Sequence, residues 1–295
     1  MGKQKSSKKD LKPEDFNTGK KPVWCSGCGN FGILMAIRQA FADLGLNKEE
    51  IVIISGIGCS DKYHQYIDTY GFESIHGRIL PVAMGIKLAN HNLKLIAIGG
   101  DGDGYGIGMG HFVHAMRRNI NITYIVCNNQ IYGLTTGQAS PTSDKGLITK
   151  STPFGNLEEP VNPISLAIVS GATYVARGFA GDVNHLKKLI IAGIKHNGFS
   201  LVDVFQPCVT FNHVNTYDWF NKKVYKLENN KDKHDTKNKD AALKKAMENK
   251  KLPIGVFYKK KKITYEEEVE QIKKKPLIKQ DISNIRINKL MNEFI

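Results

Sequence analysis

Five short runs of almost unbroken apolar, largely β-branched residues constrain this chain more than any other feature. They fall at 51–57, 93–98, 122–127, 173–176 and 200–205. A strand with one wet face alternates apolar and polar side chains, whereas a strand covered on both faces reads as a continuous apolar run. Between the runs, apolar residues recur at helical spacing over 31–44, 81–89, 108–118 and 183–196. The first of these stretches stops at Gly45, a residue suited to a helix C-cap, and the second opens on Pro81, suited to a first turn. Alternation of this kind predicts an α/β domain with a doubly wound, mostly parallel sheet.

Composition removes several classes. With 41% hydrophobic and 24% charged residues the chain is not a disordered one, and 295 residues suffice for a sizeable core. No run of eighteen apolar residues exists, so no membrane-spanning helix is expected. Residues 1–21 lack the apolar stretch of a secretory signal. They also carry Asp10, Glu14 and Asp15 and no Arg, unlike a transit peptide. The net charge of +14 sits on the ends: 7 Lys/Arg against 3 Asp/Glu in 1–21, and 21 against 11 in 221–295, with a neutral middle. A basic end can meet nucleic acid or an acidic protein. No homeodomain, zinc-finger or RNP pattern accompanies it, so a solvated Lys/Asn-rich tail is favoured and a nucleic-acid partner is not expected. Five cysteines in a chain of this length do not make a secreted disulfide scaffold, and a cytoplasmic chain keeps such thiols reduced.

The expected organisation is a basic N-terminal tail (1–21), a ligand-binding domain (22–216) and a Lys-rich C-terminal extension (217–295) that docks through the apolar island 252–258. Helical patterning recurs at 266–275 and 282–294. The Thr-, Ser-, Pro- and Gly-rich segment 137–162 is too long for a plain connection and is expected to be a functional loop.

Ligands of open α/β sheets bind beyond the carboxyl ends of the strands. Here those ends read Gly56-Ile57-Gly58-Cys59-Ser60, Gly99-Gly100-Asp101-Gly102-Asp103-Gly104, Cys127-Asn128-Asn129 and Gln206-Pro207-Cys208. The glycine-rich second end contains no G-x-G-x-x-G register, and Asp101 would repel a phosphate placed on its amides. A divalent cation between carboxylate and phosphate removes the repulsion. Asn129 offers an amide oxygen to that cation, and Ile131 a backbone carbonyl. Either turn alone is most simply a turn; the two on successive strand ends point to a magnesium–diphosphate site. Cys25 and Cys28 form a C-x-x-C before a helix, while Cys59 and Cys208 stand on two strand ends. Four thiolates suit a [4Fe–4S] cluster or a zinc ion, and thiolate count does not separate them. Cys127, inside an apolar run, reads as a core thiol.

Gly100-Asp101-Gly102 followed by Asn128-Asn129 resembles the thiamine diphosphate motif, which implies Asp101, Asn129 and Ile131 as the Mg²⁺ ligands. Together with WCSGCGNFG, GIGCSDK, HGR, NNQIYGLTTGQ, QPC and LPIGVFY, it resembles the β subunit of two-subunit 2-oxoacid:ferredoxin oxidoreductases from about residue 20 to 258. Ser26 replaces a common proline of that family without changing the ligand spacing.

The resemblance implies Cys25, Cys28, Cys59 and Cys208 as ligands of one [4Fe–4S] cluster. It implies a thiamine diphosphate pocket at Ile57, Gly58, Cys59, Ser60, His76, Gly102, Asp103, Gly133 and Leu134. Lys62 would hold a substrate carboxylate, with a solvated lysine as the alternative. The implied activity is oxidative decarboxylation of a 2-oxoacid with coenzyme A, giving acyl-CoA and CO₂ and passing electrons through the cluster to ferredoxin. A larger α subunit is the implied partner and supplies the carboxylate that activates the thiamine. Two other readings remain at this point: a non-oxidative thiamine decarboxylase or synthase with structural zinc, and a non-enzymatic iron–sulfur or nucleic-acid-binding protein.

Overall fold

The computed structural model describes residues 11–229, 234–283 and 287–294. Eight strands form one sheet: β1 Ile51–Ser55, β2 Tyr70–Glu73, β3 Lys94–Gly100, β4 Thr123–Asn128, β5 Tyr174–Phe179, β6 Ser200–Phe205, β7 Val224–Lys226 and β8 Leu252–Lys259. Their spatial order is β2-β1-β3-β4-β6-β5-β8-β7. All neighbours are parallel except β5 and β8, which run antiparallel. The doubly wound, mostly parallel sheet expected from the apolar runs is therefore present.

Helices of the described residues are α1 Asn30–Leu44, α2 Tyr63–Tyr66, α3 Ile79–Ala89, α4 Met109–Arg118, α5 Pro163–Val169, α6 Val183–Lys195, α7 Tyr217–Lys223, α8 Lys239–Ala246, α9 Tyr265–Glu268 and α10 Ile287–Met291. Successive side chains of a strand face opposite sides of the sheet, and the core divides accordingly. Ile51, Ile53, Ile96, Ile98 and Val202 join α1 and α6 on one face. Val52, Ile54, Leu95, Ala97 and Leu201 join α3, α4, α5 and α8 on the other. No helix of the described residues is long and apolar enough to cross a membrane.

Several expectations shift in detail. The first run ends as a strand at Ser55, because Gly58 takes φ +148° and turns the chain. The third helix begins at Ile79, two residues before Pro81, which still lies in the first turn where its missing N–H costs nothing. The fourth apolar run continues as β5 to Phe179 through Arg177, whose charge breaks the apolar pattern. Arg177 is buried and its Nε donates to Asp203 Oδ2 on β6 at 2.9 Å. Strand β2 carried no signal, because all four of its residues are exposed on the sheet edge.

The apolar island 252–258 lies within β8 and pairs with β5. Beyond it, Asn119 Nδ2 donates to the carbonyls of Lys262 and Ile263, and Glu266 accepts from Asn121 N. Of 266–275 only the start is helical. A capping box between Thr264 and Glu267 begins α9, but three consecutive lysines and Pro276 follow and offer no apolar face. Of 282–294, Ile287–Met291 is helical; residues 284–286 lie outside the described residues, as do 1–10 of the basic tail and 230–233 of the extension.

Candidate active site at the switch point

From β1 the chain runs outward to β2, then crosses back to β3 on the other side. That reversal opens a crevice at the carboxyl ends of β1 and β3. A cavity of about 510 Å³ lies there. Of the residues singled out from the sequence, Ile57, Gly58, Cys59, Ser60, His76, Asp101, Gly102, Asp103, Asn129, Ile131, Gly133 and Leu134 line it. Lys62 is half-buried and does not line it; Cys25, Cys28 and Cys208 lie outside the lining as well.

At one end stands Asp101, buried where β3 passes into a helical stretch. Both Ser140 Oγ (2.5 Å) and Thr142 Oγ1 (2.6 Å) donate to its Oδ2. Burial raises its pKa to about 6 against those hydroxyls, so the pocket disfavours a bare carboxylate there and suits one neutralised by a cation. Asn129 Oδ1 accepts from Ile131 N at 3.1 Å. Between them Gln130 takes the left-handed φ of 57°, which turns the chain sharply after β4. Asn128 serves the scaffold instead. Its Nδ2 donates to Asp203 Oδ1 (3.1 Å) and its Oδ1 receives Thr142 Oγ1 (2.8 Å).

Glycines let the walls close. A methyl group at Gly102 would sit 2.1 Å from the Tyr132 ring, whose hydroxyl donates to Gly102 O. Asp103 accepts from Gly77 N at 2.6 Å and lies 3.4 Å from His76 Nδ1, so it holds the turn that presents His76. Its other oxygen is buried without a partner. Asp61, which the sequence motifs do not single out, lines the same cavity and accepts from Gly56 N at 3.0 Å. Burial first, then the charge of Asp103, raises Asp61 well above the usual carboxylate range. Ser140 and Thr142 are not singled out either; the only signal for them is the excess length of 137–162.

The thiols gather beside this cavity. A methyl group at Gly133 would stand 3.7 Å from Cys59 Sγ and 3.8 Å from Cys208 Sγ. The Cys25–Cys28 knuckle is tied to the same place, since Gly29 N donates to Pro207 O at 3.1 Å. Trp24 Nε1 donates to the carbonyl of Cys59 at 2.6 Å. Burial pushes the Cys28 thiol up to about 12, and the neighbouring Cys208, Cys59 and Cys25 add to the rise. Cys59 is raised too, by burial and then by Cys208 and Cys25. Cys28 and Cys59 therefore resist becoming thiolates on their own, and with Cys25 and Cys208 beside them they fit a site whose negative charge a metal centre would balance. Among the described residues no three His, Cys, Asp or Glu side chains already stand as a ready single-ion site. Cys127 is fully buried and meets Tyr63 OH at 3.5 Å, away from the cavity lining.

Two family models match the chain. The thiamine pyrophosphate enzyme C-terminal TPP-binding domain covers residues 56–204, and the C-terminal part of the pyruvate ferredoxin oxidoreductase β chain covers 208–274. The second match spans 222–250, which the motifs alone did not reach. A 2-oxoacid:ferredoxin oxidoreductase subunit β of Saccharolobus solfataricus is 48% identical over 260 residues, covering 84% of this chain and 85% of that one. The chain belongs to the 2-oxoacid:ferredoxin oxidoreductase β-subunit family. Another member, the 2-oxoglutarate oxidoreductase subunit KorB of Mycobacterium tuberculosis, is 49% identical over 201 residues, 68% of this chain and 54% of its own. The solved 2-oxoglutarate:ferredoxin oxidoreductase from Magnetococcus marinus superposes with a TM-score of 0.89 at 37% identity. It covers 97% of this oxidoreductase β chain and 96% of the solved one.

Proposed function

We propose that this chain is the subunit of a 2-oxoacid:ferredoxin oxidoreductase that holds the diphosphate end of thiamine diphosphate, its Mg²⁺ and one [4Fe–4S] cluster. The substrate's carboxylate leaves as CO₂, its acyl group joins the sulfur of coenzyme A, and two electrons leave singly to ferredoxin. Bound thiamine diphosphate supplies the electron sink for decarboxylation, and the cluster a one-electron exit.

The residues of this chain prepare that site. Asp101, Asn129 and the carbonyl of Ile131 hold Mg²⁺. Ser140 and Thr142 fix one oxygen of Asp101, so the carboxylate enters the site with its orientation set. Gly58, Ser60, Gly102 and Asp103 shape the cofactor pocket with Ile57, Gly133 and Leu134, and His76, held by Asp103, would offer a hydrogen bond to a diphosphate oxygen. Cys25, Cys28, Cys59 and Cys208 hold the cluster. Lys62, next to the lining residue Asp61, attracts the substrate carboxylate. The larger α subunit adds the carboxylate that activates the thiamine.

One observation carries the reading. Cys59 and Gly133 line the cavity that contains Asp101 and Asn129, and the sulfurs of Cys59 and Cys208 flank that same Gly133. Neither rival reading draws support from relatives named as ferredoxin oxidoreductase, 2-oxoglutarate oxidoreductase or 2-oxoglutarate synthase subunits. The test is composition followed by turnover. The purified chain is expected to carry iron and acid-labile sulfide and to bind thiamine diphosphate only with Mg²⁺. With its α subunit it is expected to reduce ferredoxin on a panel of 2-oxoacids. Zinc in place of iron and sulfide, or magnesium-independent binding, would refute the assignment.

A further inference from the structure

The Gln206-Pro207-Cys208 run follows β6 and delivers Cys208 to the thiol group. Gln206 is 1% exposed. Burying a primary amide costs free energy unless its donors and acceptor are all met. Its backbone N–H donates to Asn128 O at 3.0 Å, which fixes the residue beside β4. Its side-chain nitrogen donates to Pro207 O at 2.9 Å and to Cys28 Sγ at 3.4 Å. A peptide carbonyl only accepts, so the group facing Pro207 O must be the NH₂, and the second hydrogen of that NH₂ is the one directed at the sulfur. Turning the amide over would set two oxygens against each other.

The cost of this orientation is visible, because Gln206 Oε1 is buried with no partner. The side chain gives up its own acceptor contact and keeps both hydrogens on the ligand loop. The backbone is shaped to permit the approach: a methyl group at Gly29 would lie 2.9 Å from Gln206 Cγ. Cys28 is itself buried, which limits the water that can replace the donor. Among the described residues no other side-chain N–H donates to the sulfur of any of the four site cysteines.

We infer that Gln206 tunes the reduction potential of the thiol-held centre through this N–H···S hydrogen bond to Cys28. The inference rests on the iron–sulfur reading given under Proposed function. An added electron spreads negative charge onto the cysteine sulfurs. A fixed N–H aimed at one of them stabilises the reduced state more than the oxidised one and raises the potential. Gln206 touches a ligand rather than the reacting carbon, so it acts by setting how readily the centre accepts an electron.

The experiment is a redox titration of the reconstituted two-subunit complex followed by electron paramagnetic resonance, with Gln206→Leu beside the wild type. Leu keeps much of the bulk and removes the donor. The midpoint of the variant is expected to move to more negative potential with iron, sulfide and signal intensity unchanged. An unchanged midpoint in a variant with its full complement of iron and sulfide overturns the inference. If Gln206→Leu fails to retain the centre, the wild type decides. Complex labelled with ¹⁵N in glutamine side chains should show a nitrogen coupling to the reduced centre, and its absence overturns the inference. If the wild type itself contains no iron and sulfide, the cofactor reading falls, and the tuning role with it; that result is distinct from a full cluster with an unmoved potential.

Discussion

Thr142 is a single hydroxyl between two acceptors, 2.6 Å from Asp101 Oδ2 and 2.8 Å from Asn128 Oδ1. Through Asn128 it is linked to Asp203, which also receives Tyr105 OH and Arg177 Nε. A buried ion pair thus anchors the residue that orients the Asp101 carboxylate, the proposed Mg²⁺ ligand. A hydrogen bond to a charged group contributes about 1.5–3 kcal/mol. Thr142→Val is therefore expected to weaken Mg²⁺-dependent thiamine diphosphate binding by roughly 10- to 100-fold with the fold retained, as titration calorimetry would read. His196 belongs to stability instead. Its Nε2 lies 2.8 Å from Thr173 Oγ1, and burial, followed by the charge of Lys259, lowers its pKa to about 4. The unfolded chain binds the proton from about pH 6.5 downward while the folded chain does not. Stability contributed by neutral His196 is present above pH 6.5 and is lost as pH falls toward 4, by on the order of 2 kcal/mol. Chemical denaturation across that range should show the slope, and His196→Gln should flatten it.

At the scale of elements, β8 closes the sheet edge that β5 would otherwise expose. Phe257 within it is fully buried. With Phe205 it sandwiches the Arg177 guanidinium, the ring centroids lying 5.8 and 4.7 Å from Cζ. Phe257→Ala is expected to cost about 3–5 kcal/mol from lost burial and the cavity left behind. A lowered denaturation midpoint would register it, and metal-site affinity should fall as well, because Arg177 supports Asp203. The sheet's other edge, β2, and the single-turn α2 left little trace in the apolar pattern. Strands β1, β3, β4 and β6 were legible because they are covered on both faces, which forces an unbroken apolar run.

At the scale of the molecule, the cavity mouth is not finished by this chain. Ile57 and Leu134, which line it, are 42% and 50% exposed, and Ile75, beside His76, is 72% exposed. Apolar side chains gathered at the rim of a polar site suit coverage by another subunit. The isolated chain is therefore expected to carry cofactors yet reduce no ferredoxin until the α subunit is added. Turnover by the single chain, assayed with a 2-oxoacid and coenzyme A, would contradict this.

The sequence by itself determined the α/β class, the strand ends that meet at one rim, and the residue types placed there. Strand burial and strand-end chemistry are written locally, in runs of four to seven residues and in the few residues that follow them. Only the tertiary structure decided which side chains hold those groups in place. Ser140 and Thr142 reach Asp101 across 39 and 41 residues, and Gln206 reaches Cys28 across 178. No local pattern records such contacts, because a buried hydroxyl or amide takes its partner from whatever distant segment the fold packs against it.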